Sequence, residues 1–161
     1  MAIAHTENIN MTEIKTLDQK GRDFIAKEEG VLLKPYLDSV GIPTIGIGCT
    51  YYPGGKKVTM KDEPLKDVAA AWVLFEAVNN NYLLTVYSTT RDDINQNQFN
   101  ALVSLCYNIG AGAFKGSTVL KLVNKNPNDP KITDAFLMWK NAGGKPVLLG
   151  RRKREAKLYF S

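Results

Sequence analysis

Glu29, Asp38 and Thr44 place two carboxylates and a hydroxyl in one short stretch, Asp38 nine residues after Glu29 and Thr44 six residues after Asp38. These types suit glycoside hydrolysis. That reaction needs one protonated carboxyl to donate to the leaving oxygen and one ionised carboxylate across the bond. Glu29 precedes Gly30, a helix-stopping residue, so it falls at a helix C-terminus. The partial negative charge of such an end, and any burial there, favour the protonated form of a carboxyl. Asp38 falls near a turn, where a carboxylate stays solvated and charged. Surroundings that hold two carboxyls in different states divide acid and base work between them. By type and spacing alone, a solvated helix end and a turn aspartate describe the same two positions.

A helix must deliver Glu29. Thr16-Leu17-Asp18-Gln19 fits a capping box, with Gln19 reaching back to Thr16. Leu17, Gly21, Phe24, Ile25 and Glu28 then share one face, which makes Glu28 a rival for the acid role. The stretch from Tyr36 to Tyr52 reads as a small antiparallel sheet punctuated by glycines and Pro43, which lacks a ladder donor. Pro64 predicts the start of the next helix, with Leu65, Val68, Ala69, Trp72, Phe75 and Glu76 at helical spacing. Such an aromatic stripe belongs to a core rather than to a ligand box.

Asn95 to Gln98 predicts a second cap, followed by a helix with Phe99, Leu102, Val103 and Cys106 on one face and a stop near Gly110. Ser117 caps a short helix. Asp129-Pro130 opens another, with Ala135, Phe136 and Trp139, and Gly143-Gly144 break it. The last helix, Arg151 to Phe160, is basic. Glu155 interrupts its charge run and Leu158, Tyr159 and Phe160 dock it, so it reads as a structural helix with a solvated basic face, not a nucleic-acid patch.

The chain has 161 residues, 44% hydrophobic and 23% charged, which fits one folded domain. The longest apolar run, Val68 to Phe75, is too short to span a bilayer, and the N-terminus lacks the pattern of a signal peptide. The net charge of +5 suits an anionic partner without choosing among wall, membrane surface and nucleic acid. Two cysteines, Cys49 and Cys106, are too few for a disulfide framework and read as reduced thiols. His5, the single histidine, lies in a polar stretch over residues 1–15 that reads as a flexible N-terminal extension. One histidine and two cysteines also argue against a zinc hydrolase.

The motifs Glu29-Gly30, Tyr36-Leu37-Asp38 and Thr44-Ile45-Gly46-Ile47-Gly48 resemble, in residues and in spacing, the catalytic stretch of phage lysozymes, glycoside hydrolase family 24, the group that includes the T-even phage enzyme. A second similar segment runs from Gln98 to Gly110. The resemblance covers residues 16–161. At Cys49 the chain departs from the pattern, which usually has histidine there. A neutral thiol behaves as a small apolar group, so this reads as a packing change.

The resemblance implies an α+β lysozyme-like fold: a small antiparallel sheet lobe, a larger helical lobe and a cleft between them. It implies an endolysin, an N-acetylmuramidase cleaving the β-1,4 bond between N-acetylmuramic acid and N-acetylglucosamine in bacterial peptidoglycan. Glu29, Asp38 and Thr44 would be catalytic, with Tyr107 and Asn108 lining the saccharide groove. Thr44 has no role in direct attack by Asp38, but it can help hold a water, so inversion is expected. No cofactor, no metal, no nucleic-acid partner, no membrane insertion and a monomer are expected, with storage in the host cytoplasm until holin-dependent release. The competing readings are a lytic transglycosylase, which needs no base-activated water, and an inactive lysozyme-like wall-binding protein.

Overall fold

The computed structural model describes residues 12–161; His5 and most of the expected extension lie outside the described residues. The elements in chain order are α1 (Gln19–Glu29), β1 (Leu32–Leu37), β2 (Pro43–Gly46), α2 (Val68–Thr89), α3 (Gln96–Ile109), α4 (Ala111–Lys115), α5 (Thr118–Lys125), α6 (Lys131–Leu137) and α7 (Leu149–Tyr159). This is the α+β class, one two-stranded antiparallel sheet among helices. The chain forms two compact units: Gln19–Asn80, and the described residues before Gln19 together with Asn81–Ser161. Among the described residues no helix is long and apolar enough to cross a membrane.

The capping box expected at Thr16 does not form. In the unit Gln19–Asn80, helix α1 begins at Gln19, and the Gln19 side chain donates forward to Asp23 Oδ1 at 2.8 Å. The chain leaves α1 through Gly30, whose N–H closes the last turn on Ala26 O at 2.7 Å with φ 78°, a conformation that favours glycine. The strands that follow pair Leu32 with Gly46, Tyr36 with Thr44 and Leu37 with Pro43, with an irregularity between the first two pairs. The sheet therefore starts before Tyr36. Beyond β2, isolated bridges pair Ile45 with Cys49 and Tyr51 with Lys57.

Gly46 has φ 64°, and a Cβ there would stand 3.0 Å from Leu65 Cδ1 and 3.5 Å from Ala71 Cβ. The left-handed backbone disfavours a side chain at this point of the motif, and the Leu65 methyl would have to give by a few tenths of an ångström to admit one. The next helix starts at Val68, not at Pro64. Leu65 donates its N–H to Leu33 O at 2.8 Å, which holds that segment against β1, and Asp67 Oδ1 caps α2 by accepting from Ala70 N at 2.8 Å. Trp72 and Phe75 are buried edge to face, 5.3 Å apart, as the stripe predicts. Arg22 of α1 pairs with Glu76 of α2 at 2.7 Å and lies over the Trp72 ring.

Helix α2 continues to Thr89, with non-helical angles at Asn79, whose amide donates to Phe75 O at 3.0 Å. A side chain that takes a backbone carbonyl in this way is a recognised cause of a kink.

In the other unit, α3 starts on the predicted cap. Asn95 Oδ1 accepts from Gln98 N, and Gln98 Oε1 accepts from Asn95 N, both at 2.9 Å. Every residue from Gln98 to Cys106 is buried, so α3 is enclosed on all sides rather than along one face. It packs on α4 and α7, and α6 packs on α5 and α7. Ser117 caps α5 by accepting from Leu120 N at 3.1 Å. The first turn of α3 also meets the segment before α1 and the last residue: Gln96 Nε2 donates to Thr16 O at 3.0 Å, and Asn97 Nδ2 to Ser161 O at 3.2 Å. Thr12, inside the expected extension, is buried and donates its N–H to Tyr87 O at 2.9 Å.

Helix α7 corrects the expectation of a solvated basic face in part. Lys153, Arg154 and Lys157 are exposed, but Arg151, Arg152 and Glu155 are buried. Arg152 Nε lies 2.6 Å from Glu155 Oε1, close enough for an ion pair although off the line of a good hydrogen bond. Burial pushes the Glu155 carboxyl up, and Arg152, the Ser104 hydroxyl and Arg151 pull it back.

Candidate active site

Glu29 is the last residue of α1 and half-buried, as the helix-then-glycine pattern requires. Glu28 is half-buried beside it. Asp38 directly follows β1 and builds the hairpin turn. Its Oδ1 accepts from the N–H groups of Val40 and Ile42, both at 2.9 Å. These bonds use Oδ1 alone and leave Oδ2 outside the turn. The side chain is therefore held by backbone donors in one orientation, an Asx-type closure that suits aspartate at this spacing.

Thr44 lies in β2 and is 2% exposed, with its hydroxyl donating to Ile42 O at 2.8 Å. A hydroxyl has one proton. With that proton committed to a carbonyl, Thr44 Oγ1 meets any further partner as an acceptor.

Tyr36 connects these groups. It is the cross-strand partner of Thr44 and stands two residues before Asp38. Burial pushes its phenol up, and Glu29, Asp38 and, once ionised, Cys49 add to the shift. Glu29 and Asp38 both contribute to raising this half-buried phenol, and Thr44 is its cross-strand partner. Tyr36 was legible only as a letter of the motif. Strand alternation is the signal that selects it, because residues two apart on a strand share a face.

Cys49 is buried, its thiol pushed up to about 11 by burial, with Sγ 3.6 Å from Ile47 O. That is the behaviour of a packing group. Cys106 is buried as well, and both cysteines are free.

Tyr107 and Asn108 belong to the other unit, at the end of α3, where burial gives way to partial exposure. Tyr107 stacks edge to face on Tyr82 with centroids 5.5 Å apart. Asn108 Oδ1 accepts from Arg152 Nη2 at 2.7 Å. The Arg152 partner was missed, since a doubly basic helix start carries no sign of burial.

The family model described as phage lysozyme matches residues 26–155. The endolysin of Salmonella phage P22 is 41% identical over 153 residues, which cover 90% of this chain and 98% of that protein. A crystal structure of a P22 lysozyme variant matches with a TM-score of 0.80 at 39% identity, covering 92% of this chain and 100% of that one. The structure of the endolysin from the Escherichia coli phage FAHEc1 matches with a TM-score of 0.82 at 34% identity, covering 94% and 96%.

Proposed function

The chain belongs to the phage lysozyme family, and from that membership we propose that it is an endolysin hydrolysing the β-1,4 bond between N-acetylmuramic acid and N-acetylglucosamine in peptidoglycan, with inversion. Glu29 is the general acid and protonates the leaving oxygen. Asp38 is the general base and takes a proton from the attacking water through Oδ2, since the turn uses Oδ1. Thr44 accepts the second water proton in a hydrogen bond, because its own proton is on Ile42 O. With both O–H bonds directed at protein acceptors, a lone pair of the water is left for the anomeric carbon.

The observation that carries this reading is the hairpin geometry, which ties Asp38 Oδ1 to Val40 and Ile42 and places the Thr44 proton on Ile42 O. A carboxylate with one oxygen left for a water and a hydroxyl fixed as an acceptor, on the hairpin that follows Glu29, are parts an inverting glycosidase needs. In the same reading the protein is stored inside the host and reaches the wall through a holin-made lesion. Loss of turbidity of purified peptidoglycan, with the wild type beside Glu29→Gln, tests the activity. Release of a 1,6-anhydromuramic product would overturn hydrolysis. Lysis on expression without a holin would overturn the release step.

A further inference from the structure

We propose that Arg152 is a positioning residue: it fixes the carboxamide of Asn108 with its nitrogen outward, and that nitrogen takes the carbonyl oxygen of an N-acetyl group on the saccharide. This rests on the muramidase reading above and adds a residue and a contact to it.

The chemistry of arginine settles the direction of the amide. A guanidinium only donates, so the Asn108 atom 2.7 Å from Arg152 Nη2 is the oxygen. The amide is planar, and Nδ2 points to the other side of the group. Its two N–H donors have no hydrogen-bond partner among the described residues. Asn108 is half-buried, so these donors are held at a partly exposed surface rather than inside the core.

Arg152 is itself held. It is 0% exposed, with Nε 2.6 Å from Glu155 Oε1 and Nη2 3.4 Å from Glu155 Oε2. Glu155, also 0% exposed, accepts from Ser104 Oγ and, at 3.3 Å, from Arg151 Nε. Burying such a cluster is a poor way to gain stability, because desolvation offsets much of the attraction. It does supply a fixed direction. The guanidinium is clamped from α7, and the helix-end amide of α3 takes its orientation from it. A free asparagine side chain would spend much of its time with oxygen outward, presenting an acceptor to an acceptor.

Two outward N–H donors select a ligand acceptor. On an amino sugar that is the N-acetyl carbonyl; on an unmodified sugar it is a hydroxyl. The test is titration of the N-acetylglucosamine trimer, followed by NMR, with cellotriose as the hydroxyl-only comparison. Asn108→Asp keeps an oxygen on Arg152 and loses the donors. It should weaken trimer binding about tenfold or more, leave the weaker cellotriose binding unchanged and not lower Tm. Arg152→Lys should weaken trimer binding several-fold in the wild-type background and not at all in the Asn108→Asp background, while its cost in Tm is the same in both. Ser104→Ala loosens the same carboxylate more gently and gives a second cycle should Arg152→Lys fail to fold.

Wild-type trimer affinity in Asn108→Asp would overturn the inference, as would an Arg152→Lys effect that persists in the Asn108→Asp background or a wild type that does not bind the trimer. A wild type that binds the trimer but leaves peptidoglycan uncut would overturn the muramidase reading alone.

Discussion

Asp38 and Thr44 are joined through the backbone of Ile42, which gives its N–H to Asp38 Oδ1 at 2.9 Å and takes the Thr44 hydroxyl on its carbonyl at 2.8 Å. The same carbonyl accepts from Asp38 N at 3.0 Å. The backbone of one residue, Ile42, therefore sets which oxygen of Asp38 and which capacity of Thr44 are left for a water.

Thr44→Ala should lower kcat on peptidoglycan by about 10-fold or more and leave substrate binding in place, whereas Thr44→Ser, which keeps the hydroxyl, should stay close to wild type. Ile42 O still accepts from Asp38 N in the alanine variant, so the stability cost is limited to about 1 kcal/mol. NMR before mutarotation should find the α anomer first from the β-linked wall; a β product would exclude inversion.

General acid catalysis contributes roughly 10²–10⁴-fold. Glu29→Gln should lose that factor or more in lysis rate with Tm unchanged. Glu28→Gln should keep it. Reversal of the two results would transfer the acid role to Glu28.

The thiols of Cys49 and Cys106 are pushed up by burial, to about 11 and about 12. At pH 8 the folded protein should not react with a thiol reagent, and after denaturation without reductant two thiols should titrate. A protein with raised thiol values holds those protons when folded and releases them when unfolded once pH passes about 9, the ordinary value. The unfolded state then binds fewer protons, so stability should fall as pH rises through that point. Tm measured from pH 7 to pH 10 in the Cys49→Ala and Cys106→Ala variants should show a smaller decline than in the wild type.

Asp62 is a second pH handle, of opposite sign. It accepts from Thr59 Oγ1 and from the Tyr52 hydroxyl, both at 2.6 Å, and from Thr59 N at 2.9 Å. These bonds, the Thr59 hydroxyl first, hold its carboxyl down at about 2. Its contribution is complete above the ordinary value of 3.8 and is lost as pH falls through about 2. Asp62→Asn should flatten the acid limb of Tm between pH 4 and pH 2. An unchanged limb would show that the loop does not depend on this carboxylate.

The parts of this molecule that were legible are those whose partners lie nearby in sequence. The α3 cap needs only Asn95 and Gln98, and the Glu29-to-Thr44 motif closes on its own hairpin. What misled came from partners far along the chain. The Thr16 cap fails while Asp18 Oδ1 accepts from Asn100, 82 positions away. The start of α2 shifts because Leu65 is drawn to Leu33. Arg151 and Arg152 read as solvated because Ser104 and Asn108, which receive them, are 44 to 47 positions earlier. Local pattern carries no record of such pairings, so charge was read as exposure.

The first turn of α3 gathers the segment before α1 and the last residue, Thr16 on Gln96 and Ser161 on Asn97. Neighbouring residues of one turn thus hold the segment before α1 and Ser161 close together. A Gly/Ser bridge from Ser161 to the segment at Thr16 would close the described residues into a ring. It could then be reopened at the exposed Gly54-Gly55 turn, creating new ends in a loop. Such a circular permutant retains every contact described for α3 to α7 and presents its new termini on the sheet-bearing unit, where a fusion partner could be attached without touching the ends that α3 holds.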